Sequence, residues 1–309
     1  MTDVNDAAAP NSLLRPHGGD LSERFASSIE ADALVARAPS LPSVVVDPGE
    51  RLDLELLASG GASPLRGFMG YADYRRVLDE WRLSNGLLMP LPLTLAVPIE
   101  RLGMLCPGTE VALRAGDGSL LGALTVRDTF VRDLREEARL VYGTDDARHP
   151  GANALLARPA GAIGGEVVCL RPRGWLTETA REVRLRLAAH GFYRVGAGFG
   201  AGLPEAASAL ETSVDALLAQ SLAGNVAIPP RLPVVVARLP LGARHAGARE
   251  AVFQCLVLRN FGVSHVVLGG VRTGLRTADA LVRHRNELGL MFLQGTATAP
   301  LERLSIRAA

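Results

Sequence analysis

Seven positions in this chain have the residue types and spacing to handle an anion. Gly196, Gly198, Gly200 and Gly202 follow a short apolar run, Phe192 to Val195, and precede an alanine-rich stretch. A glycine loop between a strand and a helix can present bare backbone N–H groups to a phosphate. Arg244, Arg249 and Arg272 supply guanidinium forks of the kind that grip sulfate or phosphate oxygens. The glycines also read as GxGxxA from Gly196 to Ala201, with Asp215 about 20 residues further on, a weak imitation of a dinucleotide fingerprint. Asp215, however, falls in a stretch that reads as helical rather than at the end of a second strand. The plainer readings are that these glycines hold no ligand, that Arg249 and Glu250 brace a helix start, and that Arg272 is a solvated loop residue. His245 and His265 read as packing residues.

Composition removes several chemistries. All 33 basic residues are arginine. A chain without lysine forms no Schiff base, holds no pyridoxal phosphate and has no Walker A lysine. Cys106, Cys169 and Cys255 are far apart and odd in number, which fits neither a disulfide framework nor a zinc site and is expected of a cytoplasmic protein. The 33 cations face 32 acids, a net charge of +1. That balance argues against nucleic-acid or membrane-surface partners. No apolar run is long enough to span a bilayer, and the polar, acidic N-terminus lacks a secretory core.

These residues need elements to hold them. Residues 1–24 lack periodicity and read as a mobile tail. From 25 to 172 the pattern is short apolar runs cut by turns, hence a mostly β domain. Val111–Arg114 and Leu120–Val126 form a predicted hairpin around Asp117-Gly118. Tyr74, Val77, Leu78 and Trp81 share one face of a predicted helix over 72–81. From 173 to 309 strands alternate with helices, which implies a parallel sheet with crossover helices. The predicted helices begin near Thr177, at Ala206 (to Gln220), at Ala248 and at Thr277. The predicted strands are Phe192–Val195, Val234–Ala237 and Val263–Gly269.

Several phrases then carry a resemblance. Gly61-Ala62-Ser63-Pro64-Leu65-Arg66-Gly67-Phe68-Met69, followed by Arg82-Leu83-Ser84-Asn85-Gly86, resembles the N-terminal PUA-like domain of ATP sulfurylases. Tyr142-Gly143-Thr144-Asp145-Asp146-Ala147-Arg148-His149-Pro150-Gly151 resembles that family's YGTTDxxHPG. Leu239-Pro240-Leu241-Gly242-Ala243-Arg244-His245-Ala246-Gly247-Ala248-Arg249-Glu250-Ala251 resembles its LPLAMRYAGPREA. The resemblance runs from about residue 45 to about residue 295, in one order. It implies a PUA-like β domain followed by a shortened Rossmann-type α/β nucleotidyltransferase domain. It also implies a cytoplasmic setting, a tendency to form homo-oligomers or to associate with a paralogue, and ATP with magnesium as the cofactor of any remaining activity.

ATP sulfurylases join sulfate to the α-phosphorus of ATP and expel pyrophosphate. Two anions must be brought together, so the site must supply cations and donors. The resemblance places the family's QxRNPxHxxH on the glycine stretch. Its Gln falls on Phe199, its Arg on Ala201, its Asn on Gly202 and its two His on Glu205 and Ser208. The Arg, Asp and His of the later GRDHAG fall on Gly270, Val271 and Arg272. The scaffold phrases are kept and the chemical ones are lost. The expectation is a catalytically impaired homologue, with a relic nucleotide or oxyanion site at Arg244 and the 196–202 glycines. Two alternatives stand beside it. One is an active transferase using Arg194, Arg272 and Arg276, and the other is RNA binding through the PUA-like domain. His149 reads as structural, and the Ser63–Met69 phrase as packing between the two domains.

Overall fold

The computed structural model describes residues 11–171, 178–199, 211–220, 232–268 and 275–294. Its N-terminal half holds α1 (Ser28–Arg37), β1 (Ser43–Val45), α2 (Pro48–Ser59), β2 (Gly67–Phe68), α3 (Tyr71–Glu80), β3 (Leu95–Val97), β4 (Glu110–Arg114), β5 (Leu120–Val131), α4 (Leu134–Tyr142), α5 (Pro150–Leu156) and β6 (Gly161–Cys169). The strands make one six-stranded sheet in the order β1-β4-β5-β6-β2, with β3 also paired to β6. The predicted hairpin is β4 and β5, antiparallel, turning through Gly118 at φ +84°. A left-handed residue at that turn requires glycine or a close substitute.

Two helices start where the sequence supplies reciprocal caps. Ser27 and Glu30 form a capping box at α1, and Asp47 and Glu50 form one at α2, where Pro48 sits in the first turn. Each box satisfies two otherwise orphaned N–H groups. The second carboxylate oxygen of Glu50 accepts from the Ala96 N–H, 2.7 Å away, which ties the α2 cap to β3.

The C-terminal half holds α6 (Ala180–Ala189), β7 (Val195–Phe199), β8 (Ala216–Gln220), β9 (Val234–Ala237), α7 (Gly247–Asn260), β10 (His265–Leu268), α8 (Leu275–Arg283), α9 (Arg285–Leu288) and β11 (Met291–Gln294). Its five strands are all parallel, in the order β11-β10-β7-β8-β9. Counted along the chain this is 3-2-1-4-5, the doubly wound order whose direction reverses between the first and fourth strands.

Four sequence expectations need correction. Residues 11–24 are packed rather than loose: Leu14 is buried, and buried His17 donates its backbone N–H to the side-chain oxygen of Asn260, 2.8 Å away. The strand expected to end at Val195 begins there and runs to Phe199. The helix expected over 206–220 gives way to β8 at Ala216, because that segment lies between two parallel neighbours. The cap expected at Thr177, which lies outside the described residues, is Thr179, in a capping box with Glu182.

The halves are joined by polar contacts, two of them buried. The Asn260 amide donates to the carbonyls of Gly61 and Ser63, at 2.9 and 3.1 Å. Arg82 forms a two-pronged pair with Glu287, at 2.5 and 2.8 Å. His17 Nε2–H donates to the Leu88 carbonyl at 2.8 Å.

Burial, reinforced by Arg259, lowers the His17 pKa to about 4 from 6.5. The unfolded chain therefore binds a proton that the folded chain refuses between those values. The stability that His17 contributes is complete above about pH 6.5 and falls as pH drops toward 4, by about 3 kcal/mol in all. Glu50 runs the opposite way, because burial pushes its carboxyl up to about 7. The two slopes offset each other in the native chain, so variants must separate them. Urea unfolding of the native protein should give nearly equal contributions at about pH 7 and about pH 5 from this pair, whereas His17→Gln, left with the Glu50 slope, should lose about 2 kcal/mol more than the native protein does as pH rises from about 5 to about 7. An unchanged difference would refute a neutral buried His17.

Candidate functional site

Ligands of doubly wound sheets lie beyond the carboxyl ends of the strands, at the point where strand order reverses. Here that point lies between β7 and β10, whose last residues, Phe199 and Leu268, are paired in register. The segments leaving them, 200–210 and 269–274, carry the two altered phrases. The fold thus sets side by side two strand ends about 70 residues apart in the chain. Gly200, Gly202 and Arg272 lie outside the described residues.

Gly196 and Gly198 do not form a cradling loop. They are strand residues, paired with His265 and Val267 of β10, and Gly196 also pairs with Leu217 of β8. Backbone committed to sheet ladders is not available to a phosphate. Asp215 is also misplaced for a ribose. It precedes β8, at the amino end of the sheet, where it accepts from the Tyr193 and Arg194 N–H groups and pairs with the Arg194 guanidinium at 2.6 and 3.0 Å. The dinucleotide pattern is therefore coincidental. Arg194 is likewise at the edge opposite the crevice, whereas Arg276 is exposed in the first turn of α8. His265 begins β10 at that same amino edge, with its Nδ1 2.8 Å from the Ser264 hydroxyl.

Arg249 is a structural residue. It is only 5% exposed, and its guanidinium donates to the carbonyls of Val77, Leu78 and Pro90 at 2.6–2.9 Å while lying over the Trp81 ring. It caps the end of α3 rather than pairing with Glu250, whose carboxylate instead accepts from the N–H groups of Arg244 and Ala246. Spacing alone could not reveal this, because the partner carbonyls lie some 160–170 residues away.

Arg244 lines a cleft of about 460 Å³ between the halves, together with Asp53, Tyr142, Gly151, Arg158 and His245. The preserved Tyr142–Gly151 and Ala243–Ala246 phrases meet in this cleft. Its cations are already matched: Arg244 pairs with Asp53 at 2.5 Å and Arg158 with Asp47 at 2.7 Å. Arg244 also sits over the Phe253 ring. His245 is exposed at φ +59°, not packed in the core. His149 caps α5, accepting from the Ala152 N–H, and lies against Tyr142. A Cβ on Gly151 would come within 2.9 Å of the Arg244 carbonyl and closer still to the Tyr142 ring. Gly151→Ala should therefore cost about 1–3 kcal/mol, read as a lower urea midpoint. An unchanged midpoint would refute the close approach of α5 to residue 244.

Family comparison agrees with this architecture. A family model described as PUA-like domain matches residues 14–172, and one described as ATP-sulfurylase matches 211–286. A sulfate adenylyltransferase of Symbiobacterium thermophilum is 36% identical over 292 residues, covering 85% of this chain and 74% of the relative. The chain belongs to the ATP sulfurylase family. A probable bifunctional SAT/APS kinase of Sorangium cellulosum is 31% identical over 85% of this chain, which spans 50% of that longer relative. A solved structure described as a hexameric APS kinase from Thiobacillus denitrificans shares 25% identity at a TM-score of 0.69, covering 92% of this chain and 57% of its own. This ATP sulfurylase homologue thus keeps the family's PUA-like half and its parallel-sheet half. The segments 200–210 and 269–274, on which the sequence resemblance lays the family's reaction-bearing phrases, lie outside the described residues. Among the described residues no helix is long and apolar enough to cross a membrane, and no group of three or more His, Cys, Asp or Glu could hold a metal ion.

Proposed function

We propose that this chain is a sulfate-activation homologue whose transfer of adenylyl from ATP to sulfate has been lost or reduced to a trace. It would act as a binding, scaffold or regulatory member beside an intact relative in the cytoplasm. One observation carries the reading. The segments leaving the two adjacent strand ends hold Phe199, Ala201, Gly202, Glu205 and Ser208, then Gly270, Val271 and Arg272, where the family resemblance places its amide, guanidinium and imidazole groups. Arg272 is the single cation among those replacements, and Glu205 adds a charge that repels phosphate. The two arginines best placed by sequence to compensate are engaged elsewhere, Arg244 by Asp53 and Arg249 by three carbonyls.

A relic ligand of this site would be a nucleotide or a sulfate-like anion, with magnesium arriving on the nucleotide's phosphates. Self-association or pairing with an intact paralogue fits the hexameric description of the similar structure. An active transferase built on Arg194, Arg272 and Arg276 has less support, since Arg194 is held by Asp215 at the far edge of the sheet. RNA binding finds no support in a net charge of +1.

The test is pyrophosphate release by the purified chain with ATP, magnesium and sulfate, run beside the Symbiobacterium relative. Thermal shifts with ATP–magnesium, adenylyl sulfate and sulfate complete it, because a ligand bound to the folded state raises the melting temperature with concentration. The expected result is negligible release, with a shift only for a relic ligand. Release within about tenfold of the relative would refute the proposal.

A further inference from the structure

A second cleft, of about 360 Å³, lies where the turn before β2 and β2 itself meet β6 and the loop after α3. It is built by Ser63–Met69 and Arg82–Gly86, two of the phrases that mark the family, yet it shares no residue with the cleft at Arg244 or with the crevice between β7 and β10. Its floor is bare backbone. A Cβ on Gly67 or Gly165 would collide with the opposing strand, and one on Gly164 would strike the Met69 carbonyl.

The two arginines that line this cleft share one acid. Glu166 is approached by three guanidiniums: Arg66 at 3.3 Å and Arg127 on one carboxylate oxygen, and Arg24 at 3.5 Å on the other. Arg24, which does not line the cleft, also donates to the Val167 carbonyl at 2.8 Å and is held there by the main chain. Arg66 and Arg127 are different. Their side chains are 60% and 68% exposed, and among the described residues Glu166 is the acid that each one pairs with. One carboxylate is therefore shared by three guanidiniums, while the other acid of the lining, Asp73, accepts from the Ser84 N–H and hydroxyl rather than from an arginine. Elsewhere most arginines are matched closer to one-to-one, as Arg37 with Glu110 or Arg171 with Glu182. Two planar forks converging on one point have the geometry that takes a tetrahedral oxyanion.

We propose that this cleft binds a small molecule ending in a phosphate or sulfate dianion, held by Arg66 and Arg127, with Glu166 as the internal counter-ion that the ligand competes against. The volume admits a group up to about the size of a mononucleotide. The proposal goes beyond the impaired-transferase reading and does not depend on it, since the two sites have no residue in common.

Titration calorimetry on the full chain tests this, with inorganic phosphate, inorganic sulfate and AMP as probes at constant ionic strength. Binding of at least one probe at millimolar concentration or tighter is expected, and comparing AMP with inorganic phosphate shows whether an organic portion adds affinity. The Arg66→Ser/Arg127→Ser double variant should weaken that binding at least tenfold. Glu166→Gln, which removes the competitor, should tighten it at least threefold. Arg135→Ser, which removes an exposed arginine outside the cleft, should leave it unchanged and so controls for general charge. Melting curves verify that each variant is folded, and exposed Arg66 and Arg127 can be lost without opening the core. No binding of any of the three probes, undiminished binding by the double variant, or weaker binding by folded Glu166→Gln would each overturn the proposal.

Discussion

Arg249→Met is expected to destabilise the folded chain by about 3–5 kcal/mol. The guanidinium is buried, and it satisfies three main-chain carbonyls from Val77, Leu78 and Pro90. Removing it leaves oxygen atoms without a donor in a place that water reaches poorly, and each such group costs about 1–3 kcal/mol. The stacking of Arg249 over Trp81 is lost as well, worth about 0.5–2 kcal/mol when desolvated. Burial lowers the Arg249 pKa only to about 10, so the group remains cationic at neutral pH and acts as a charged cap on the negative end of α3. Arg249→Lys should recover only part of the loss, because one ammonium cannot reproduce the planar fork that reaches all three carbonyls. Urea denaturation followed by tryptophan fluorescence measures both variants. A loss below about 1 kcal/mol for Arg249→Met would contradict the role assigned to this residue as a fastener between α7 and α3.

The second large effect is on rate. Adenylyl sulfate formation by this chain should be at least about 1000-fold slower than by the Symbiobacterium relative, a barrier higher by about 4 kcal/mol. Sulfate and the triphosphate of ATP repel each other, so the pocket must first offset that repulsion and then stabilise charge moving onto pyrophosphate. Removing a single pre-organised donor typically costs about 100- to 1000-fold. On the proposed reading a set of donors is replaced together. Effects within such a set do not add, so one donor's worth is a floor and their sum is not a forecast. Glu205, where the resemblance lays an imidazole, changes the charge in the same direction, since an acid in place of a cation disfavours an anion. Neither Arg244 nor Arg249 makes good the deficit, for the reasons of pairing given above. Steady-state pyrophosphate release at matched protein concentrations measures the ratio, and a deficit smaller than about tenfold would contradict it.

Some elements could be read directly from the residues. Asp117-Gly118 between two apolar runs specified the β4–β5 hairpin, and the 3.6-residue spacing of Tyr74, Val77 and Leu78 specified α3. The alternation after residue 173 gave the parallel sheet. Other elements were legible but concealed. The capping boxes Ser27–Glu30 and Asp47–Glu50 announce α1 and α2, yet the reading of 25–172 as a mostly β domain passed over both. The segment 216–220 has helix-forming residues and becomes a strand because β7 and β9 pair on both sides, a tertiary preference that outweighs local propensity. Residues 11–24 looked unstructured because their anchors, Asn260 for His17 and Arg184 for the Leu14 carbonyl, are far away in the chain.

The candidate site shows the same divide. The replacement of imidazole and guanidinium groups is a reading of the sequence alone, made by laying whole phrases beside those of the family; apart from Phe199 the residues concerned lie outside the described ones. That the two altered phrases leave neighbouring strand ends was not visible, since it depends on the pairing of Phe199 with Leu268. The role of Arg244 was equally hidden. Its sequence context suggests a free cation, and only the approach of α2 shows Asp53 neutralising it. Gly196 and Gly198 gave the opposite error, a loop pattern in what is a paired strand.

The reverse reaction offers the most direct measurement, because the same crevice must stabilise the same transition state in both directions. Purified chain, made in a host lacking the endogenous enzyme, is incubated with adenylyl sulfate and magnesium pyrophosphate, and ATP is followed by luminescence. The account predicts ATP formation at or below about one-thousandth of the rate of the Symbiobacterium relative. Formation within about tenfold of that relative would contradict it.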